Sequence, residues 1–174
     1  MIHFTKSRVI KLIVLCTSIL LIISLFNKNF IINVTNSLDG HVYYKKNLTT
    51  IKPNMYVSAC PKDQFIKIGL IIKALHKTQF FSACNLNSIP VLKIVAAVPG
   101  DHVFADGIND IQINGKAFKG SKPRADFVLP KFIYSGTLQS DEYLLLTHFS
   151  NGYDGRYWGI VDRQHLLNEI IEVF

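Results

Sequence analysis

Val91-Leu92-Lys93-Ile94-Val95-Ala96-Ala97-Val98 runs directly into Pro99-Gly100-Asp101. It is short, apolar and stopped by a Pro-Gly turn signal, so it reads as a strand. Lys93 is its exception. A charged lysine inside an apolar strand is expensive. Strand alternation puts Val91, Lys93 and Val95 on one face and Leu92, Ile94 and Ala96 on the other. Such a lysine either snorkels out or is held partly desolvated. Desolvation lowers its pKa and yields some neutral amine near pH 7. A neutral amine is a general base that can take the proton of a serine hydroxyl.

Outward from this strand the pattern stays β-rich. Residues 102–105 and 111–118 read as strands, the second carrying Asn114-Gly115, a strong hairpin turn. Residues 142–147 and 159–161 are further strands, and the tail 163–174 reads as a helix or a strand. On the other side, residues 63–77 place Phe65, Ile66, Ile68, Leu70, Ile72 and Leu75 near helical spacing, weakened by Gly69. The expected fold is mainly β: an antiparallel domain with one short helical insert. Cys60 and Cys84 flank that insert. In an oxidising compartment such thiols usually pair, the alternative being two independent free thiols; closing a loop of about 25 residues contributes roughly 3–4 kcal/mol on the chain-entropy model.

The chain has 174 residues, 49% of them hydrophobic and 18% charged, with a mean hydropathy of +0.24 and a net charge of +7. This excludes a disordered chain and a disulfide-dense mini-protein. Much of the apolar content sits in residues 9–26, where Lys11 is the only charge. The run reads as a spanning helix with Lys11 snorkelling. At its C-terminal end, Phe26-Asn27-Lys28-Asn29-Phe30 lacks the small residues of a signal cleavage site. Lys6 and Arg8 precede the run, Lys11 lies at its N-terminal end and Lys28 alone comes close behind it, which places the N-terminus in the cytoplasm. The expected organisation is a cytoplasmic tail (1–8), a transmembrane signal anchor (9–28) and an extracytoplasmic domain (29–174). No Lys/Arg cluster with interleaved aromatics points to nucleic acid. The remaining basic charge suits an anionic membrane surface. Neither C-x-x-C nor H-E-x-x-H occurs, so no metal site and no cofactor are expected.

Two further segments carry candidate chemistry. Ser37 lies about ten residues past the apolar run, in Asn33-Val34-Thr35-Asn36-Ser37-Leu38-Asp39-Gly40. Asp154 and Arg156 stand two apart in a Gly-rich, aromatic stretch, either as a surface ion pair in a turn or as support for a catalytic site. His41 near Ser37 raises a Ser-His-Asp triad, but no G-x-S-x-G elbow is present.

In this order the anchor, Thr35-x-Ser37, Leu92-Lys93 running to Pro99-Gly100-Asp101, and Asp154-Gly155-Arg156-Tyr157-Trp158-Gly159 resemble the type I signal peptidases. The resemblance is nearest to the TraF-like peptidases of bacterial conjugative transfer. It implies a signal-peptidase-like β domain on a transmembrane helix, with Ser37 as nucleophile and Lys93 as general base. Thr35 and the Ser37 N–H would be the oxyanion donors, and Asp154 with Arg156 a supporting ion pair. It also implies a bacterial inner-membrane protein with a periplasmic catalytic domain. The substrate would be an exported precursor, pilin-like, and the conjugative transfer apparatus a partner. The sequence departs from the family at three places. Ser37 leads into Leu38-Asp39-Gly40 where S-x-P-x-G is usual. Gly152 stands where a serine would bond the lysine, leaving Ser150 as the nearby hydroxyl, and Gly155 replaces a serine. These departures keep open a non-catalytic, membrane-anchored assembly factor that retains the fold.

Overall fold

The computed structural model describes residues 6–33, 37–78 and 84–173. Helix α1 (Lys6–Asn29) passes into β1 (Phe30–Ile32) without a loop. Every side chain described from Val9 to Phe26 is exposed, and this window is long and apolar enough to cross a membrane. At 1.5 Å per residue it spans roughly 27 Å, near the hydrocarbon thickness of a bilayer. Thr17 and Ser18 each donate their hydroxyl to the Val14 carbonyl (2.9 and 2.8 Å), so neither adds a free polar group to the helix surface. At its end, Phe26 stacks on Phe30 and Phe30 meets the Tyr44 ring edge-on, which joins the helix to the domain. An apolar helix left uncovered by the rest of the chain fits a membrane-anchored protein.

The domain continues with β2 (Val42–Asn47), β3 (Tyr56–Ala59), α2 (Asp63–Ile71), β4 (Val91–Ala97), β5 (His102–Asp106), β6 (Gln112–Ile113) and β7 (Lys116–Ala117). It ends with β8 (Ile133–Thr137), β9 (Glu142–Leu146), α3 (Gly155–Trp158), β10 (Ile160–Asp162) and β11 (Leu166–Glu172). Among the described residues they form two antiparallel sheets, ordered β1-β2-β11-β3-β4-β9-β10 and β7-β6-β5-β8. The expected mainly β class holds, and the ambiguous tail is a strand, inserted between β2 and β3. The Asn114-Gly115 hairpin forms, both residues at positive φ (50° and 77°) as a type I′ turn demands.

Strand β4 is central and buried nearly throughout. Val91 and Val95 join the core that includes Val57, Leu145, Tyr157 and Trp158. Leu92 and Ile94 pack on the other face with Leu38, Tyr43 and Ile170. The alternation breaks after Val95, where a register shift against β9 turns both Ala96 and Ala97 into a third cluster.

The insert is shorter than its apolar spacing suggests. α2 ends at Ile71, not residue 77. The chain reverses through Lys73 at φ 58°, and Ala74 and Leu75 donate back to the Gly69 carbonyl. Leu75 thereby lies against Gly69, where an added Cβ would sit 2.6 Å from Leu75 Cγ and 2.7 Å from the Tyr153 ring. The glycine that weakens the helix is what lets the chain fold back over it. Cys60 and Cys84 are disulfide-bonded, with Cα atoms 5.5 Å apart, and close the insert at its base.

Candidate active site

Lys93 faces the core side of β4 and is 3% exposed. Burial pushes its amine down to about 8; the Asp154 carboxylate opposes this and the Arg156 guanidinium adds to it. Its Nζ stands 6.0 Å from the centroid of the Trp158 ring. The lysine does not snorkel out: it is the desolvated alternative.

Ser37 opens the turn that leads from β1 toward β2, and it is 7% exposed. Three groups hold that turn. Asn33 Nδ2 donates to the Leu38 and Gly40 carbonyls, both at 3.0 Å. The Gly40 N–H donates to the Tyr43 hydroxyl at 2.9 Å. The Thr147 hydroxyl donates to the Ser37 carbonyl at 2.6 Å. Leu38 then anchors the turn by burying itself against Leu92 and Ile94 of β4. A Cβ on Gly40 would lie 2.7 Å from both the Tyr43 hydroxyl and Glu172, so a side chain there would have to push these two aside. These contacts supply the rigidity that a proline would give elsewhere.

Asp154 and Arg156 are both fully buried. They pair side-on, Nε to Oδ1 at 2.8 Å and Nη2 to Oδ2 at 2.9 Å. Asp154 also caps the one-turn α3 by accepting the Arg156 N–H. The remaining capacity goes to neighbouring backbone. Asp154 Oδ2 accepts the Thr147 N–H at 2.9 Å, and Arg156 donates to the carbonyls of Thr147 and Ser150. A buried pair satisfied this fully is a rigid strut rather than a surface ion pair.

Ser37 and Lys93 line one cleft, with Asn151 and Gly152 beside them. Ala74, Leu75 and His76, the returning end of the disulfide-closed insert, also line it. Tyr153 ties the insert to the Asp154 segment by donating its hydroxyl to the Phe65 carbonyl of α2 at 2.7 Å. Thr35 lies outside the described residues. Among the described residues there is no cluster of His, Cys, Asp and Glu that could hold a metal ion.

The family model for signal peptidase, peptidase S26, matches residues 6–174. The chain belongs to the signal peptidase family. A signal peptidase I from Enterococcus faecalis V583 is similar in structure, at 13% identity and a TM-score of 0.40, covering 71% of this chain and 98% of that one. No curated protein matches. Membership makes the chain a signal peptidase-like serine peptidase, a class that meets precursor substrates at a membrane.

Within this family member, two of the three departures have a steric cause. A Cβ on Gly152 would fall 2.1 Å from Thr147 Cγ2 and 2.9 Å from Asp154 Oδ2. One on Gly155 would fall 2.7 Å from Leu144 Cδ1 and from the Leu145 carbonyl. Neither position has room for a serine. Ser150 does not take over the lysine-bonding role: it is exposed, lies outside the cleft lining, and lends its carbonyl to Arg156. Sequence reasoning missed Asn33, Tyr43 and Thr147. Thr147 stands at the end of an expected strand with no local mark of its contact to Ser37, 110 residues away. The two glycines were the available signal, since each means that something else fills the space.

Proposed function

We propose that this chain is a membrane-anchored serine endopeptidase that cleaves signal or leader peptides of exported precursors, with Ser37 and Lys93 as its catalytic dyad. The observation that carries this reading is a lysine buried to a pKa of about 8 on the same cleft as a serine whose turn is held rigid. At pH 7 such an amine is roughly one-tenth neutral. The neutral Lys93 takes the Ser37 hydroxyl proton as Oγ attacks the scissile carbonyl. The tetrahedral oxyanion is held by the Ser37 N–H and the Thr35 hydroxyl. The lysine ammonium then protonates the leaving amine, giving an acyl-enzyme. Neutral again, it draws a proton from water as the water oxygen attacks the acyl carbonyl; the acyl–Oγ bond then breaks, the lysine returns the proton to Ser37 Oγ, and the acid is released.

Only seven residues separate the end of α1 from Ser37, so the nucleophile is tethered to the bilayer face, where a precursor's cleavage site emerges. Tethering raises effective concentration without new contacts. The substrate binds as an added strand with small side chains near the cleaved bond. The resemblance to TraF-like peptidases supports pilin or other conjugative-transfer precursors as the substrates, with the transfer apparatus as partner.

The test is processing of an exported precursor by the full chain in membrane vesicles. Release of the mature product is expected. Intact precursor across a panel of candidates would favour the non-catalytic assembly role. The charge bias around α1 supports a cytoplasmic N-terminus and a periplasmic domain. A reporter fused after Phe174 is accordingly expected to be active only outside the cytoplasm, and Cys60 and Cys84 to resist thiol labelling until reduced. A cytoplasmic reporter signal overturns the orientation.

A further inference from the structure

Thr147 comes directly after β9, and β9 is hydrogen-bonded to β4 with Ile94 opposite Leu146. Continuing that register by one residue sets Thr147 across from Lys93. In an antiparallel pair, residues directly opposite share a face. The strand neighbour of the lysine is therefore the residue whose hydroxyl holds the Ser37 carbonyl at 2.6 Å. The hydroxyl is also fixed from its other side, accepting the Phe149 N–H at 3.3 Å. Thr147 is itself immobilised, its N–H on Asp154 Oδ2 and its carbonyl on Arg156 Nη2, and it is fully buried. Its methyl occupies the space a side chain at Gly152 would need.

We propose that Thr147 is the positioning residue of this peptidase: it sets the Ser37 turn against the strand bearing Lys93 and passes the rigidity of the Asp154–Arg156 pair to the nucleophile. The β-branched hydroxyl is suited to both tasks, the oxygen gripping the turn while the methyl blocks rotation against Gly152. A serine keeps the grip and loses the block. A valine keeps the shape and loses the grip.

This proposal rests on Ser37 being the nucleophile. The experiment measures kcat and KM of the full chain in detergent on a synthetic peptide with an apolar leader and alanines one and three residues before the cleaved bond, beside thermal unfolding and the pH profile. Misplacing a nucleophile by about 1 Å costs on the order of 10²-fold. Thr147→Val is expected to lower kcat about 10²-fold with KM within about twofold and the pH midpoint unchanged. Thr147→Ser is expected to stay within about fivefold of the parent. Wild-type kcat in Thr147→Val, or equal losses in both variants, overturns the proposal. Should the valine variant fail to fold, Thr147→Cys, whose thiol donates only weakly, is expected at least about tenfold below Thr147→Ser, and equality of the two overturns it. An active Ser37→Ala would instead sink the dyad itself. An inactive Ser37→Ala beside a fully active Thr147→Val would sink only the positioning role.

Discussion

Ser37→Ala and Lys93→Met are each expected to abolish precursor processing, with kcat falling by about 10³–10⁶-fold. The two variants differ in what they do to stability, and that difference guards against misreading a folding defect as lost catalysis. The lysine's folded pKa, about 8, lies below its ordinary value of 10.5. Between these values the unfolded chain binds more protons, so stability rises with pH across that window and carries its full penalty below about 8. A shift of this size amounts to about 3 kcal/mol at neutral pH. Lys93→Met removes the charge while filling the same volume, so it is expected to raise the melting temperature at pH 7. The gain should shrink as pH rises from about 8 toward 10.5. Thermal unfolding in detergent at about pH 7 and about pH 10 checks this beside the processing assay. A Met variant that is more stable and inactive is what a catalytic lysine gives. One that processes precursor normally removes Lys93 from the chemistry.

The second large effect is structural. Arg156→Met leaves the Asp154 carboxylate buried and stripped of its partner, and Asp154→Ala leaves the guanidinium so. Breaking a buried pair from one side costs about 3–5 kcal/mol. For a chain of this size that is a fall of about 10 °C in melting temperature. Here the damage does not stay local. The pair's other hydrogen bonds end on Thr147 and Ser150, and Thr147 holds the Ser37 turn. Both variants are therefore expected to lose kcat well beyond what their unfolded fraction explains. Chemical denaturation with activity measured on the folded fraction separates the two. A variant that is destabilised yet turns over normally would show that the strut serves only stability.

Much of this site is legible in residues that offend a local pattern. Lys93 stands out because a charge interrupts an apolar strand, and its burial comes from the central place of β4. Cys60 and Cys84 stand out by flanking the insert, and they are bonded. Asn114-Gly115 marks its hairpin by the backbone it permits. The end of α2 is not legible, because Ile72 and Leu75 fit helical spacing while Leu75 in fact folds back onto Gly69. Nor are the contacts of Asn33, Tyr43 and Thr147 to the Ser37 turn. They join segments distant in sequence or depend on an irregular turn, and ordinary polar residues carry them. Gly152 and Gly155 read as losses when compared with the family pattern. In the folded chain they are what close packing under Thr147 and Leu144 requires.

Acylation of Ser37 with Lys93 as its base is the step on which the proposed mechanism stands. It is tested most directly by treating the full chain with an activated ester of a small-residue peptide, locating the acyl group by mass spectrometry, and timing its formation between about pH 6 and 9. A Ser37–Lys93 dyad requires the label on Ser37, forming about tenfold faster per pH unit below about 8 and levelling above it as the amine loses its proton. A label on another residue, or a rate on Ser37 that is flat across this range, would contradict it.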